Sequence, residues 1–169
     1  MWPHLSFGRV DRRTILMTMI DAPIRAAYRT AHLMLRSYWF VRRPETSGAL
    51  AAIWHDGRIL LVRNSYRKFH TLPGGYVRPG EDPRAAASRE LREETSLEVP
   101  PERFTHAYHG THPFEFRKDT VDIYEAELDA LPGEIDIDRR EVIWAEFVTP
   151  ERARSMKIVP HLVEYLADR

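Results

Sequence analysis

Between Asp21 and Phe40, apolar residues recur at helical spacing. Ile24, Ala27, Tyr28, Ala31 and Leu35 follow i, i+3/i+4, i+7, with Arg25, Arg29 and Arg36 off the stripe. The spacing predicts a helix over about 22–41, capped by Asp21 with Pro23 in its first turn and stopped before Pro44. Leu33, Met34, Trp39 and Phe40 widen its apolar face, while the stretch before Asp21 shows no clean period. After Gly48 the pattern turns to strands. Ala49–Trp54 and Arg58–Arg63 flank His55-Asp56-Gly57, a hairpin signal. His70–Val77 contains Leu72-Pro73-Gly74-Gly75 and cannot be regular strand throughout. Asp82-Pro83 opens a helix reaching about Thr95. Phe104–His109, Thr120–Leu128 and Val142–Val148 read as strands, Pro150–Met156 as a helical turn and Pro160–Ala167 as a terminal helix. There is no regular βαβ alternation, internal repeat or low-complexity tract.

Composition narrows the class. A chain of 169 residues with 43% hydrophobic content holds one ordinary domain plus an extension. The absence of cysteine excludes a disulfide scaffold, a thiolate zinc site and a cysteine nucleophile, and fits a reducing compartment. No apolar run approaches the roughly 18–20 residues that span a bilayer, and Ile15–Ile20 is too short for a secretory signal core. A cytoplasmic protein is expected. The net charge of zero hides a split: residues 1–43 carry eight arginines against Asp11 and Asp21, a charge of +6 that the remainder offsets. The breaker-rich stretch 42–48 divides an extension, 1–46, from a body, 47–169. Met17 and Met19 are alternative starts for the chain.

The helix after Asp82 is dense in carboxylates. Glu90 and Glu94 share a face, with Glu93 beside Glu90. Like charges at that spacing destabilise a helix, and a cation between them is the natural explanation. Oxygen ligands on a rigid element suit Mg²⁺ or Mn²⁺ rather than zinc. Arg89, four residues before Glu93, is placed to hold it, and upstream Gly74-Gly75 lets backbone approach a metal or phosphate. A charged helix alone is usually a solvated surface; the joint spacing argues for phosphate chemistry.

Written out from Gly75 through Glu81, Arg89-Glu90-Leu91 and Glu93-Glu94 to Leu97, this segment resembles the Nudix box, G-x5-E-x7-R-E-U-x-E-E-x-G-U. Eight of the nine specified positions match. Ser96 stands where the family has glycine, at a position that often supplies the left-handed helix cap. The resemblance implies an α/β/α sandwich with a mixed sheet, following an N-terminal basic amphipathic helix. It also implies hydrolysis of a diphosphate linked to another moiety, by water and a divalent metal. Glu90, Glu93 and Glu94 would bind the metal with the Gly74 carbonyl, and Glu90 would also orient or deprotonate the attacking water. Arg89 would orient Glu93, with Glu81 as its structural partner. Asp119, Asp122 and Glu141 are candidates for a further acid outside the box.

Substrate class is open. Tyr66 or Phe69 could stack on a base, and Arg67 or Lys68 could reach phosphates, against the alternative of an exposed hairpin tip. The implied partner is a small-molecule diphosphate. A ligand-binding module with little hydrolysis and a hydrolase of a non-nucleotide diphosphate are the competing readings. His106, His109 and His112 invite a metal, but their spacing gives no common face on a regular strand, so a structural or surface role is expected. For the basic arm three readings stand: packing on the body or a second copy (a homodimer) through Leu35, Trp39 and Phe40, a membrane surface, or nucleic acid.

Overall fold

The computed structural model describes residues 12–169 except 132, 134, 138 and 168, with side chains from Asp21 onward. The chain runs α1 (Arg12–Arg42), β1 (Glu45–His55), β2 (Arg58–Asn64), β3 (Gly74–Tyr76), α2 (Pro83–Thr95), a short 3-10 turn (Pro101–Arg103), β4 (Thr105–Phe114), β5 (Arg117–Glu127), β6 (Val142–Val148), α3 (Pro150–Ser155) and α4 (Pro160–Tyr165). The sheet is mixed, in the order β4-β5-β1-β2-β6. β1 and β5 are parallel, the other pairs antiparallel, and β3 shares an edge of β1 with β2.

The apolar run Ala49–Trp54 is buried throughout because β1 lies mid-sheet with helices over both faces. On one face Ala49, Ala51, Ile53 and Leu60 pack beneath Ala86, Ala87 and Leu91 of α2. On the other, Leu50, Leu61 and Ile123 meet Ala153 of α3, Leu162 of α4 and Leu166 just after it. This is the expected α/β/α sandwich. The β1–β2 turn has positive φ at both Asp56 (46°) and Gly57 (68°), as a two-residue hairpin requires. β3 carries Gly74 and Gly75 alongside Leu50 and Ala49, which brings that loop to the centre of the sheet.

α1 corrects two expectations. Asp21 does not cap it: the helix begins at Arg12, and Pro23 lies inside it. The helix already runs through residues 15–20, so the proline lies within a longer helix rather than opening a short one. Nor is Leu35 or Phe40 buried. Among the described side chains of α1 only Trp39 is, at 4% exposure, while Leu33, Met34, Tyr38, Phe40 and Val41 face solvent. The helix does lie on the body, but through polar and ring contacts. Arg25 donates to the Arg139 carbonyl (2.9 Å) and Arg29 to that of Ser65 (3.2 Å). Asp21 pairs with Arg140 (3.5 Å), and His32 and Arg36 reach Glu115 at 3.4 and 4.0 Å. Glu115 and Phe116 form the β4–β5 turn with φ of 48° and 70°, and the Phe116 ring meets Phe40 edge-on at 5.2 Å.

Candidate functional site

α2 starts where its sequence says it should. Asp82 accepts from the amides of Arg84 and Ala85 while Pro83 occupies the first turn. It ends at Ser96 with φ 57° and ψ 12°, the left-handed cap, whose N–H donates to the Arg92 carbonyl at 3.0 Å. Serine therefore occupies the conformation that favours glycine, which costs about 1 kcal/mol. Leu91 faces the core, and this fixes which side of the helix presents the glutamates to the β3 loop.

Glu94 is buried between β2 and that loop. Its Oε1 accepts from Asn64 Nδ2 (3.2 Å) and its Oε2 from the Gly74 amide (3.0 Å). Burial nevertheless pushes its pKa up to about 8, with Glu141 and Glu90 adding repulsion. Glu90 is also raised, first by burial, against the pull of Arg89. Arg89 grips Glu81 bidentately (2.8 and 3.1 Å) and reaches Glu90 at 2.6 Å, while Glu93 lies 3.5 Å away and is half-exposed. Its principal target on the helix is thus Glu90, not Glu93. Held by Arg89 and the Arg78 amide, Glu81 falls to about 2. A Cβ on Gly75 would lie 2.7 Å from the Glu90 carboxyl carbon, and one on Gly74, where φ is 150°, would strike the Ala49 carbonyl.

These groups line a cleft of about 430 Å³, the size of a small-ligand pocket. Glu90, Glu93, Glu94 and Glu141 converge in it with Gly74, Tyr66, Arg67, Tyr76, Arg78, Arg117, Asp119 and His161. An oxygen-only donor set, two of whose carboxylates are pushed up by burial, fits a hard divalent cation.

The candidates from outside the box separate. Glu141 lines the cleft and accepts from the Tyr66 hydroxyl at 2.8 Å. Asp119 also lines it, but is buried and held by Arg117 (3.0 Å) and Thr46 (2.6 Å). Asp122, three residues on along the regular strand β5, points to the opposite face, where it meets His106 and His109. Tyr66 lines the cleft, and its ring stacks on Tyr28 (6.2 Å) and lies 4.8 Å from His32. Arg67 lines the cleft and pairs with Glu115 (3.8 Å), whereas Lys68 lies outside it and Phe69 packs edge-on against Phe114.

Among the cleft residues that sequence reasoning missed, Arg117 and His161 come from outside the box. Arg117 is buried between Trp39 of α1 (4.2 Å) and Tyr76 (5.7 Å). His161 has a buried Nε2 with no hydrogen-bond partner, and burial pulls its pKa down to about 4. Neither belongs to a local motif; only pairing of β5 with β1 and docking of α4 bring them here.

A mixed sheet between helices, with a carboxylate helix set against a Gly-Gly loop, is the architecture of a hydrolase family defined by that loop–helix unit. The chain belongs to the Nudix family: the sequence profile of the NUDIX domain matches residues 43–168. Among curated proteins it is 32% identical, over 100 residues, to an NAD-capped RNA hydrolase NudC of Escherichia coli O1:K1 / APEC, covering 58% of this chain and 37% of that one. The chain thus spans well under half the length of that relative. In fold it resembles a MutT protein from Methanosarcina mazei Go1, at TM-score 0.64 and 21% identity, covering 75% and 93% of the two chains. It also resembles an Ap4A hydrolase from C. elegans, at TM-score 0.61 and 23% identity, covering 72% and 92%.

Proposed function

We propose that the chain hydrolyses a diphosphate linkage in a nucleoside-diphosphate-type substrate, with Mg²⁺ or Mn²⁺ held by Glu90, Glu93, Glu94 and the Gly74 carbonyl. The observation that carries this reading is the convergence of four glutamates and the Gly-Gly loop on one cleft that also holds Arg78, Arg117 and Tyr76. When bound, the cation neutralises phosphate charge and lowers the pKa of a water it holds. The protein's own groups do the positioning, which dominates phosphoryl chemistry. Arg89 fixes Glu90, the residue that orients or deprotonates the attacking water. Asn64 and the Gly74 amide fix Glu94, and Tyr66 fixes Glu141, the further acid of this reading. His161, neutral at physiological pH, offers a ring nitrogen to a substrate polar group. Helix α1 acts indirectly, because it holds Tyr66 and Arg117 from behind.

The test is a panel of nucleoside triphosphates, nucleotide sugars, dinucleotides and non-nucleotide diphosphates, assayed with Mg²⁺ or Mn²⁺ for release of a phosphate-bearing product. Turnover of nucleotide members, lost with chelator, is the expected result. Turnover confined to non-nucleotide diphosphates overturns the substrate class. Binding without hydrolysis across the panel overturns the enzyme.

A further inference from the structure

His106 and His109 are three residues apart, and on a regular strand they would point to opposite faces. The β4–β5 register shifts between His106 and Tyr108, and the residue absorbed there returns both histidines to one side. His106 then pairs across the ladder with Tyr124 and His109 with Asp122, two residues apart on the same face of β5. His106 Nε2 and His109 Nδ1 each lie 2.8 Å from the same oxygen, Asp122 Oδ1, and the three ligand atoms fall within 4.8 Å of one another. The His106 ring is set against Tyr124 at 5.3 Å. His112 takes no part: it faces the other way, to Tyr108 and Glu164. The expectation that these histidines share no face fails for two of the three, because the bulge changes the period.

We propose that His106, His109 and Asp122 form a second metal site that binds a Zn²⁺-type transition-metal ion, separate from the diphosphate cleft. Two imidazole nitrogens and one carboxylate oxygen suit Zn²⁺, Co²⁺ or Ni²⁺, whereas the glutamate set of the cleft suits Mg²⁺. Three protein ligands leave a coordination position for water. The side chains are 44%, 59% and 20% exposed, so an ion reaches them from solvent and they can adjust to its geometry. Asp122 and the cleft-lining Asp119 stand on opposite faces of β5, so the sheet separates the two sites. The ion would tie edge strand β4 to β5 at the bulge, where the ladder is interrupted.

The site is tested on the full, tag-free chain titrated with Co²⁺ in a large excess of Mg²⁺ that fills the carboxylate cleft, read by visible absorption and calorimetry. The expected result is one Co²⁺ per chain, bound about ten-fold or more weakly by His109→Ala and by Asp122→Asn, and unchanged in Glu94→Gln. His106→Gln is a further variant should His109→Ala fold poorly. Equal Co²⁺ affinity in the wild type and the histidine variants overturns the site, as does a loss that follows Glu94→Gln instead. The outcome does not depend on whether any diphosphate is turned over.

Discussion

The chain carries two charged helices that adhere to the same body by different means. α2, of 13 residues, is capped at both ends and buries Ala86, Ala87 and Leu91, with Glu94, against the sheet. α1, of 31 residues, has no acidic first turn, holds a proline internally, and among its described side chains buries Trp39 alone. Its grip comes from arginines on backbone carbonyls, from His32 and Arg36 on Glu115, and from stacked rings. Core burial stabilises the first helix; screened, partly solvated contacts hold the second. α2 is therefore suited to keep reactive groups in register, and α1 to brace the wall behind them.

The sharpest way to break that comparison is at Glu94. In Glu94→Gln, metal-dependent turnover is expected to fall by about a hundred-fold or more while the circular dichroism spectrum stays that of the wild type. Undiminished turnover would remove α2 from the chemistry. Next come paired truncations. Leu91→Ala should cost about 2–5 kcal/mol in a denaturant titration, and Leu33→Ala on α1 should stay within about 0.5 kcal/mol. Equal losses would mean that α1 contributes burial the structure does not show.

A third test uses pH in chelator. Glu94 is raised to about 8 from 4.5, so the native state keeps a proton that the unfolded state has released. Its stabilising contribution is complete below about pH 4.5 and is lost as pH rises towards 8. His161, lowered to about 4 from 6.5, works in the other direction: its contribution is present above 6.5 and lost as pH falls towards 4. Between pH 6.5 and 8 Glu94 therefore supplies the largest expected change. Metal-free protein should lose roughly 1.5 kcal/mol across that window, and Glu94→Gln should lose much less. The smallest effect is at the end of α2, where Ser96→Gly should add about 1 kcal/mol or slightly less by removing the left-handed strain.

How much of this was legible follows from the range over which each feature is written. Gly75, Glu81, Arg89, Glu90, Glu93 and Glu94 sit within one loop–helix, so spacing alone brings them together. Glu141, Arg117 and His161 come from other elements and reach the cleft through strand pairing and the docking of α4, which no local period encodes. Among the three outside acids the alternation of β5 would have separated Asp119 from Asp122, but which face lined the cleft depended on where α2 packed. Pro23 misled because a proline in a first turn and one inside a longer helix look alike when the preceding segment lacks a clean period. The bulge at Ala107 leaves no mark in the pattern at all, so spacing alone hides the face that His106 and His109 share.

The β4–β5 turn has a consequence of its own. Two-residue hairpins of this hand favour Asn-Gly, yet here Glu115 and Phe116 adopt positive φ, each at about 1–2 kcal/mol. What holds them there is α1 and Arg67, through His32, Arg36 and Phe40. The next residue is Arg117, already in the cleft wall. A helix remote in sequence thus packs on the two residues that lead into the cleft wall, and its Trp39 ring lies 4.2 Å from the Arg117 guanidinium. A ligand that favours this placement of Arg117 is expected to favour the docked helix as well, and to bind more weakly where the helix is drawn away.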